Sequence, residues 1–212
     1  NDNPVGGKWS YDTENRKKLP KGIHIPETLE NEYKKDEIDR SNAFILKYFN
    51  SNPGETDGFN YPLDHNQAVK SLDHFLTEKF ELFGPYEDAI SQIDSTLFHS
   101  VITPYLNIGL ITPTEVVNRI IDFAEHHNIP INSYEGLIRQ IIGWREFIRG
   151  IYVEDGVKQR TTNFWKFDRS IPSSFYDGTT GILPIDVTIK KLLKNAYLHH
   201  IERLMIMGNI LF

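Results

Sequence analysis

Helical periodicity is the feature that most limits what this chain can become. In HNQAVKSLDHFLTEKFELFG, the residues Ala68, Leu72, Phe75, Leu76 and Phe80 recur at the spacing of a single helix face. Thr112-Pro113-Thr114-Glu115 opens another such segment as a capping box with proline in the first helical position, and Val116, Val117, Ile120, Ile121 and Phe123 form the stripe behind it. Ser133 is placed to cap SYEGLIRQIIGWREFIRGIY, and Gly150 stands where that helix could end. NEYKKDEIDRSNAFILKYFN gathers its apolar residues late and stops at Asn52-Pro53-Gly54, while a last helix is expected from about Ile185 through His199 and His200. Few segments alternate with period two, so the predicted fold class is all-α, with roughly five to seven helices over residues 34–212. Residues 1–33, with Pro4, Gly6, Gly7, Pro20, Gly22, Pro26 and many charges, read as an extended linker or arm, and residues 154–183 as loop.

Composition removes several classes of function. The 212 residues suffice for one large domain or two small ones, and a 39% hydrophobic content with 12% aromatics excludes wholesale disorder. A net charge of −6 gives no global attraction to nucleic acid, so any DNA contact needs a local basic patch. The absence of cysteine excludes disulfides and thiolate metal sites within the chain. No apolar run approaches the roughly 20 residues that span a bilayer, so a soluble, cytoplasmic protein with no membrane partner is expected. The chain has no initiator Met and ends in the apolar segment MIMGNILF, which leads to the expectation of a fragment, incomplete at its C-terminus.

Four stretches carry candidate chemistry. In FHSVITPYLNIGLITP, the Ser100 and Thr103 hydroxyls and nearby backbone N–H groups suit an anionic oxygen such as a phosphate, or are ordinary caps. In RQIIGWREFIRG, Arg139, Arg145 and Arg149 share a helix with Trp144, which fits a flat anionic ligand, although Glu135 and Glu146 are spaced to make ordinary ion pairs. Lys158, Arg160, Lys166 and Arg169 interleave with Phe164 and Trp165, suiting single-stranded nucleic acid or a solvated loop face. In YLHHIERLM, His200 is either a satisfied structural detail or a general acid with Arg203 one turn on. Zinc is disfavoured there, because adjacent residues diverge by about 100° on a helix and no HExxH spacing exists, so no metal site is expected. His126-His127 reads as favourable charge at a helix C-terminus.

The ordered set GGKWSYDTENRKKLP, FGPYEDAI with LFHSVITPYLNIGLITP, EGLIRQIIGWREFIRGIY and AYLHHIERLMIMGN resembles the deoxyribodipyrimidine photolyase-related branch of the photolyase/cryptochrome superfamily, that of prokaryotic (6-4) photolyases and cryptochromes. The resemblance implies the helical half of an FAD-binding catalytic domain, preceded by the linker that follows an antenna domain. It implies FAD as cofactor and damaged DNA as partner, with blue-light-driven electron transfer from reduced flavin to pyrimidine lesions, (6-4) photoproducts in particular. By position, His99, Ser100 and Thr103 match the phosphate loop, Tyr86 lies near a flavin-contacting tyrosine, Gln140, Trp144 and Arg145 match the WREF segment, and Arg203 matches an arginine near the isoalloxazine. His200 matches the histidine that donates a proton to the lesion, while Leu204 stands where animal (6-4) enzymes carry a further histidine.

Two departures shape the expectations. Pro184 occupies the place of a cluster-ligating cysteine, so no iron–sulfur cluster is expected. The resemblance also implies that an antenna domain and a C-terminal half of the same protein are missing. The fragment alone is then expected to be inactive, to hold FAD weakly or not at all, and to dimerise through exposed apolar surface. The alternative function is a cryptochrome-like flavin photoreceptor, whose flavin site uses the same residues.

Overall fold

The computed structural model describes residues 3–211. Among them there is no strand, and the fold is all-α. Ten α-helical segments follow one another: α1 (Lys35–Tyr48), α2 (His65–Glu78), α3 (Phe80–Phe83), α4 (Thr103–Asn107), α5 (Pro113–His126), α6 (Ile131–Ile138), α7 (Trp144–Thr161), α8 (Ser174–Asp177), α9 (Leu183–Asn195) and α10 (Asn209–Leu211). Two π-helical stretches, Arg139–Gly143 and Glu202–Gly208, join α6 to α7 and lead into α10.

The core forms where the predicted stripes meet. Leu72, Phe75 and Leu76 of α2, Phe80 and Phe83 of α3, Val116 and Ile120 of α5, and Leu137 with Ile141 pack into one buried cluster, which Ile102, Tyr105 and Leu106 close from the α4 side. A second cluster, Ala89, Leu97 and Phe98, is covered by Leu19, Ile23 and Ile25 from the N-terminal segment. Among its described residues that segment holds two single-turn 3-10 helices before α1, yet it packs firmly. Tyr11 and Asn15 are buried, and Asn15 sits between Glu87 and Asn132 at 2.7 and 3.2 Å.

Two close approaches hold α6 against the α2–α3 corner. A Cβ on Gly84 would lie 2.5 Å from the Ser133 backbone nitrogen, and one on Gly136 would crowd Asn15 Nδ2 at 3.0 Å, so both positions are shaped to glycine by their neighbours. Ser133, expected as an N-cap, lies inside the first turn of α6 instead; Pro130 occupies the cap. The Ser133 hydroxyl donates to the Glu81 carbonyl and accepts from the Gly84 N–H, each at 2.9 Å.

Other local expectations are modified. Thr112 Oγ1 accepts from Glu115 N at 3.2 Å, but the Glu115 carboxylate turns to His65 and Arg119 at 3.4 and 3.8 Å, so only half of the capping box forms. The α7 helix runs through Gly150 to Thr161, since neither Gly150 nor Gly156 adopts the positive φ that ends a helix. The last predicted helix is broken: Ala196 takes a left-handed conformation, φ 51°, and the chain becomes helical again only at His200. The carbonyls freed at this break are taken by tertiary donors, Leu193 O by Glu55 N–H at 3.1 Å and Asn195 O by Tyr61 Oη at 3.1 Å.

Candidate functional site

Beside the main core lies a hollow of about 1230 Å³. Its walls are the 99–104 loop, the α6–α7 junction and the segment after the Ala196 break. His99, Ser100, Thr103, Gln140, Trp144, Arg145, His200 and Arg203, which lie on three distant stretches of chain, all line it. Tyr86 does not. It is half-buried against Phe98, ring centroids 5.5 Å apart, in the second cluster.

Unusual backbone marks every wall. Val101 has φ 53° although a β-branched residue is strongly disfavoured there, and Leu97 and Ala196 also carry positive φ. Both π-helical stretches contribute lining residues, as such bulges often do at functional sites. Val101 with positive φ followed by Ile102 in the right-handed region gives the alternation of handedness that turns successive N–H groups toward one point.

The arginines separate by their partners. Arg139 is tied to Asp12 and Glu135 at 3.5 and 3.4 Å, and Arg149 to Glu146 at 3.1 Å. Arg145 makes no ion pair among the described residues; its Nη1 donates to the Ile141 carbonyl at 3.1 Å. Arg203 likewise has no carboxylate partner among them. The Ser100 and Thr103 hydroxyls are also free of partners there. The hollow therefore presents two unneutralised cations, two free hydroxyls and a strained loop to whatever enters it.

Its inner end is polar and buried. Glu87 accepts from Gln140 Nε2 at 2.8 Å and from Asn15 Nδ2 at 2.7 Å, and burial, the largest influence, raises its carboxyl to a pKa of about 6. His99 and His199 stack at 4.8 Å with planes 15° apart, and His200 meets His99 edge-on at 5.5 Å. Burial holds all three imidazoles below their ordinary pKa, His199 to about 4. For His200 the Asp88 carboxylate, 3.6 Å away, opposes that effect while Arg203 adds to it. Together these influences favour the neutral form of the His200 imidazole. Behind the pair, Lys191 and Glu202 form a buried ion pair at 2.7 Å, and Glu202 stands 3.6 Å from His199 Nε2.

Sequence reasoning missed Glu87, Asp88 and His199 as members of this site. The stretch FGPYEDAI contains the first two, but nothing in its composition signals that they turn inward; His199 was adjacent to a chosen residue and separated from it only by the supposed helix. The buried Asn15, which bonds Glu87 through its side chain and accepts the Asp88 N–H at 3.2 Å, was hidden in an apparent linker.

Comparison with known proteins now adds a second line of support. Residues 1–61 match the family of deoxyribodipyrimidine photo-lyase-related proteins. A (6-4) photolyase of Agrobacterium fabrum is 35% identical over 209 residues, covering 97% of this chain and 40% of the relative. An uncharacterized protein of Acanthamoeba polyphaga mimivirus is 43% identical over 105 residues, 49% of this chain and 80% of that protein. The chain therefore spans well under half of the photolyase it matches. No helix among the described residues is long and apolar enough to cross a membrane. The chain is thus similar to deoxyribodipyrimidine photo-lyase-related proteins over residues 1–61, and to the (6-4) photolyase over 97% of its length.

Proposed function

We propose that this chain supplies one side of the FAD site of a light-driven DNA photolyase acting on pyrimidine lesions, (6-4) photoproducts in particular. The observation that carries the reading is the convergence of two unpaired arginines, two free hydroxyls and a strained anion-facing loop in one large hollow. At about 1230 Å³ the hollow exceeds the roughly 300–1000 Å³ of a drug-sized pocket, which suits a dinucleotide with a base beside it. The relative named a (6-4) photolyase supports the same choice of substrate class.

On this reading Ser100, Thr103 and the N–H groups around Val101 hold phosphate oxygens, while Arg145 and Arg203 balance negative charge. Gln140 is fixed by Glu87 and faces the ring system together with Trp144. When bound, reduced FAD supplies the light-driven electron that the reaction needs. His200 is the proton carrier. Because burial keeps it neutral at rest, it takes up a proton only when further negative charge sits beside Asp88 and the imidazole, as an anionic ligand provides.

In the full-length protein carrying this chain, His200→Ala is expected to lower blue-light repair of (6-4) lesions by about a hundredfold or more while flavin absorbance survives, the range in which a lost general acid shows. Undiminished repair contradicts the assignment. The resting neutrality of His200 also favours a second reading, a cryptochrome-like photoreceptor with no need of a proton donor. Equal affinity for damaged and undamaged DNA supports that reading over repair.

A further inference from the structure

His99, His199 and His200 form a cluster whose hydrogen bonding is incomplete. His99 Nε2 and both ring nitrogens of His199 are buried without a hydrogen-bond partner. Each such group costs about 1–3 kcal/mol when left unpaired, and since a neutral imidazole carries one lone pair, His99 and His199 each have one to give to a ligand. One ring nitrogen from each of the three residues lies within 4.8 Å of the other two.

We propose that His99, His199 and His200 form a binding site for a divalent cation of the zinc class, with three imidazole ligands and a fourth position open to the hollow. Three histidines with one open position are a donor set that zinc accepts. The helix-based objection to zinc does not apply to the folded chain. His199 precedes the helical turn that begins at His200, and the third imidazole arrives from the 99–104 loop, a hundred residues away in sequence.

Each ring also stands beside a group of the kind that supports metal-binding histidines. His99 hydrogen-bonds the Glu87 backbone, His199 Nε2 faces Glu202 at 3.6 Å, and His200 Nε2 faces Asp88 at 3.6 Å. At 3.6 Å neither carboxylate is hydrogen-bonded to its ring; a small approach on metal binding would make each an outer partner and leave the opposite nitrogen for the metal. The 4.8 Å spread is wider than ligand atoms on one ion with bonds of about 2.0–2.1 Å, so coordination draws the rings inward and opens the His99–His199 stack. The site shares His200 with the proton transfer proposed above: a cation bound there takes the imidazole lone pair that would accept a proton, so the two exclude each other, while Arg145 and Arg203 test flavin binding independently.

The test is a titration of the chelator-treated chain with Co²⁺, followed by its visible ligand-field absorption and by displacement with Zn²⁺. One Co²⁺ per chain is expected. His200→Ala and His99→Ala are each expected to weaken binding by about tenfold or more, with the far-ultraviolet circular dichroism of the half-buried His200 variant unchanged. The double variant His126→Ala, His127→Ala is expected to bind normally, since those rings bond the Asp122 and Phe123 carbonyls at the end of α5. Absence of a cobalt spectrum, binding that survives both cluster substitutions, or binding lost only in the His126/His127 variant overturns the proposal.

Discussion

At the scale of single residues, the site is organised by which charges have partners and which do not. Glu87 shows the cost of placing one inside. Its carboxylate is 4% exposed and well hydrogen-bonded, yet burial outweighs those bonds and raises its pKa from 4.5 to about 6. The native state then holds the proton more tightly than the unfolded state, so the contribution to stability is complete below the unfolded value and is lost as pH rises through about 6. The rise from 4.5 to about 6 corresponds to roughly 2 kcal/mol. Between about pH 4 and pH 7, the wild-type chain is expected to lose roughly that much more unfolding free energy than Glu87→Gln, measured by urea denaturation at each pH; identical profiles contradict it. None of this was legible in the sequence, because a glutamate in FGPYEDAI looks like any surface acid until Asn15 and Gln140 are seen to enclose it. The division of the arginines was partly legible: the spacing of Glu135 and Glu146 marks Arg139 and Arg149 as paired, while the added contact of Asp12 with Arg139 comes only from the fold.

At the scale of elements, the long amphipathic helices were readable because burial follows their periodicity: α2 buries the residues expected of it, and α5 buries Val116 and Ile120 with Val117 and Phe123 half-buried against the core. Their ends were less readable. The break at Ala196 opposes a strong helix former, and it is held by donors from Glu55 and Tyr61 that lie far off in sequence. That break takes His199 and His200 out of a continuous helix and aims both at His99. The α3–α6 contact illustrates a similar dependence on tertiary structure. Ser133→Ala is expected to destabilise the chain by about 1–3 kcal/mol by leaving the buried Gly84 N–H unpaired. Gly84→Ala is expected to cost more than that, since its Cβ would stand 2.5 Å from backbone that cannot rotate away. Chemical denaturation of both variants checks the order; a Gly84→Ala chain as stable as the wild type contradicts the packing described.

At the scale of the whole molecule, the hollow is a trough with one wall open. Trp144, Ile148, Tyr152 and Leu204 line it and are more than half exposed, at 56%, 56%, 67% and 63%. Neither α1 nor α7 buries a residue. A ligand in such a trough keeps one side in water and loses much of the free energy that enclosure gives, so weak binding is the physical expectation for this chain alone. The account's central claim is that the trough accepts FAD through its unpaired cations. Titration of the 212-residue chain with FAD, read by flavin fluorescence, tests this most directly. Weak but saturable binding is expected, reduced about tenfold by Arg145→Ala or Arg203→Ala and unchanged by Arg149→Ala, whose side chain is tied to Glu146. No saturation, or equal affinity in all three variants, contradicts the account.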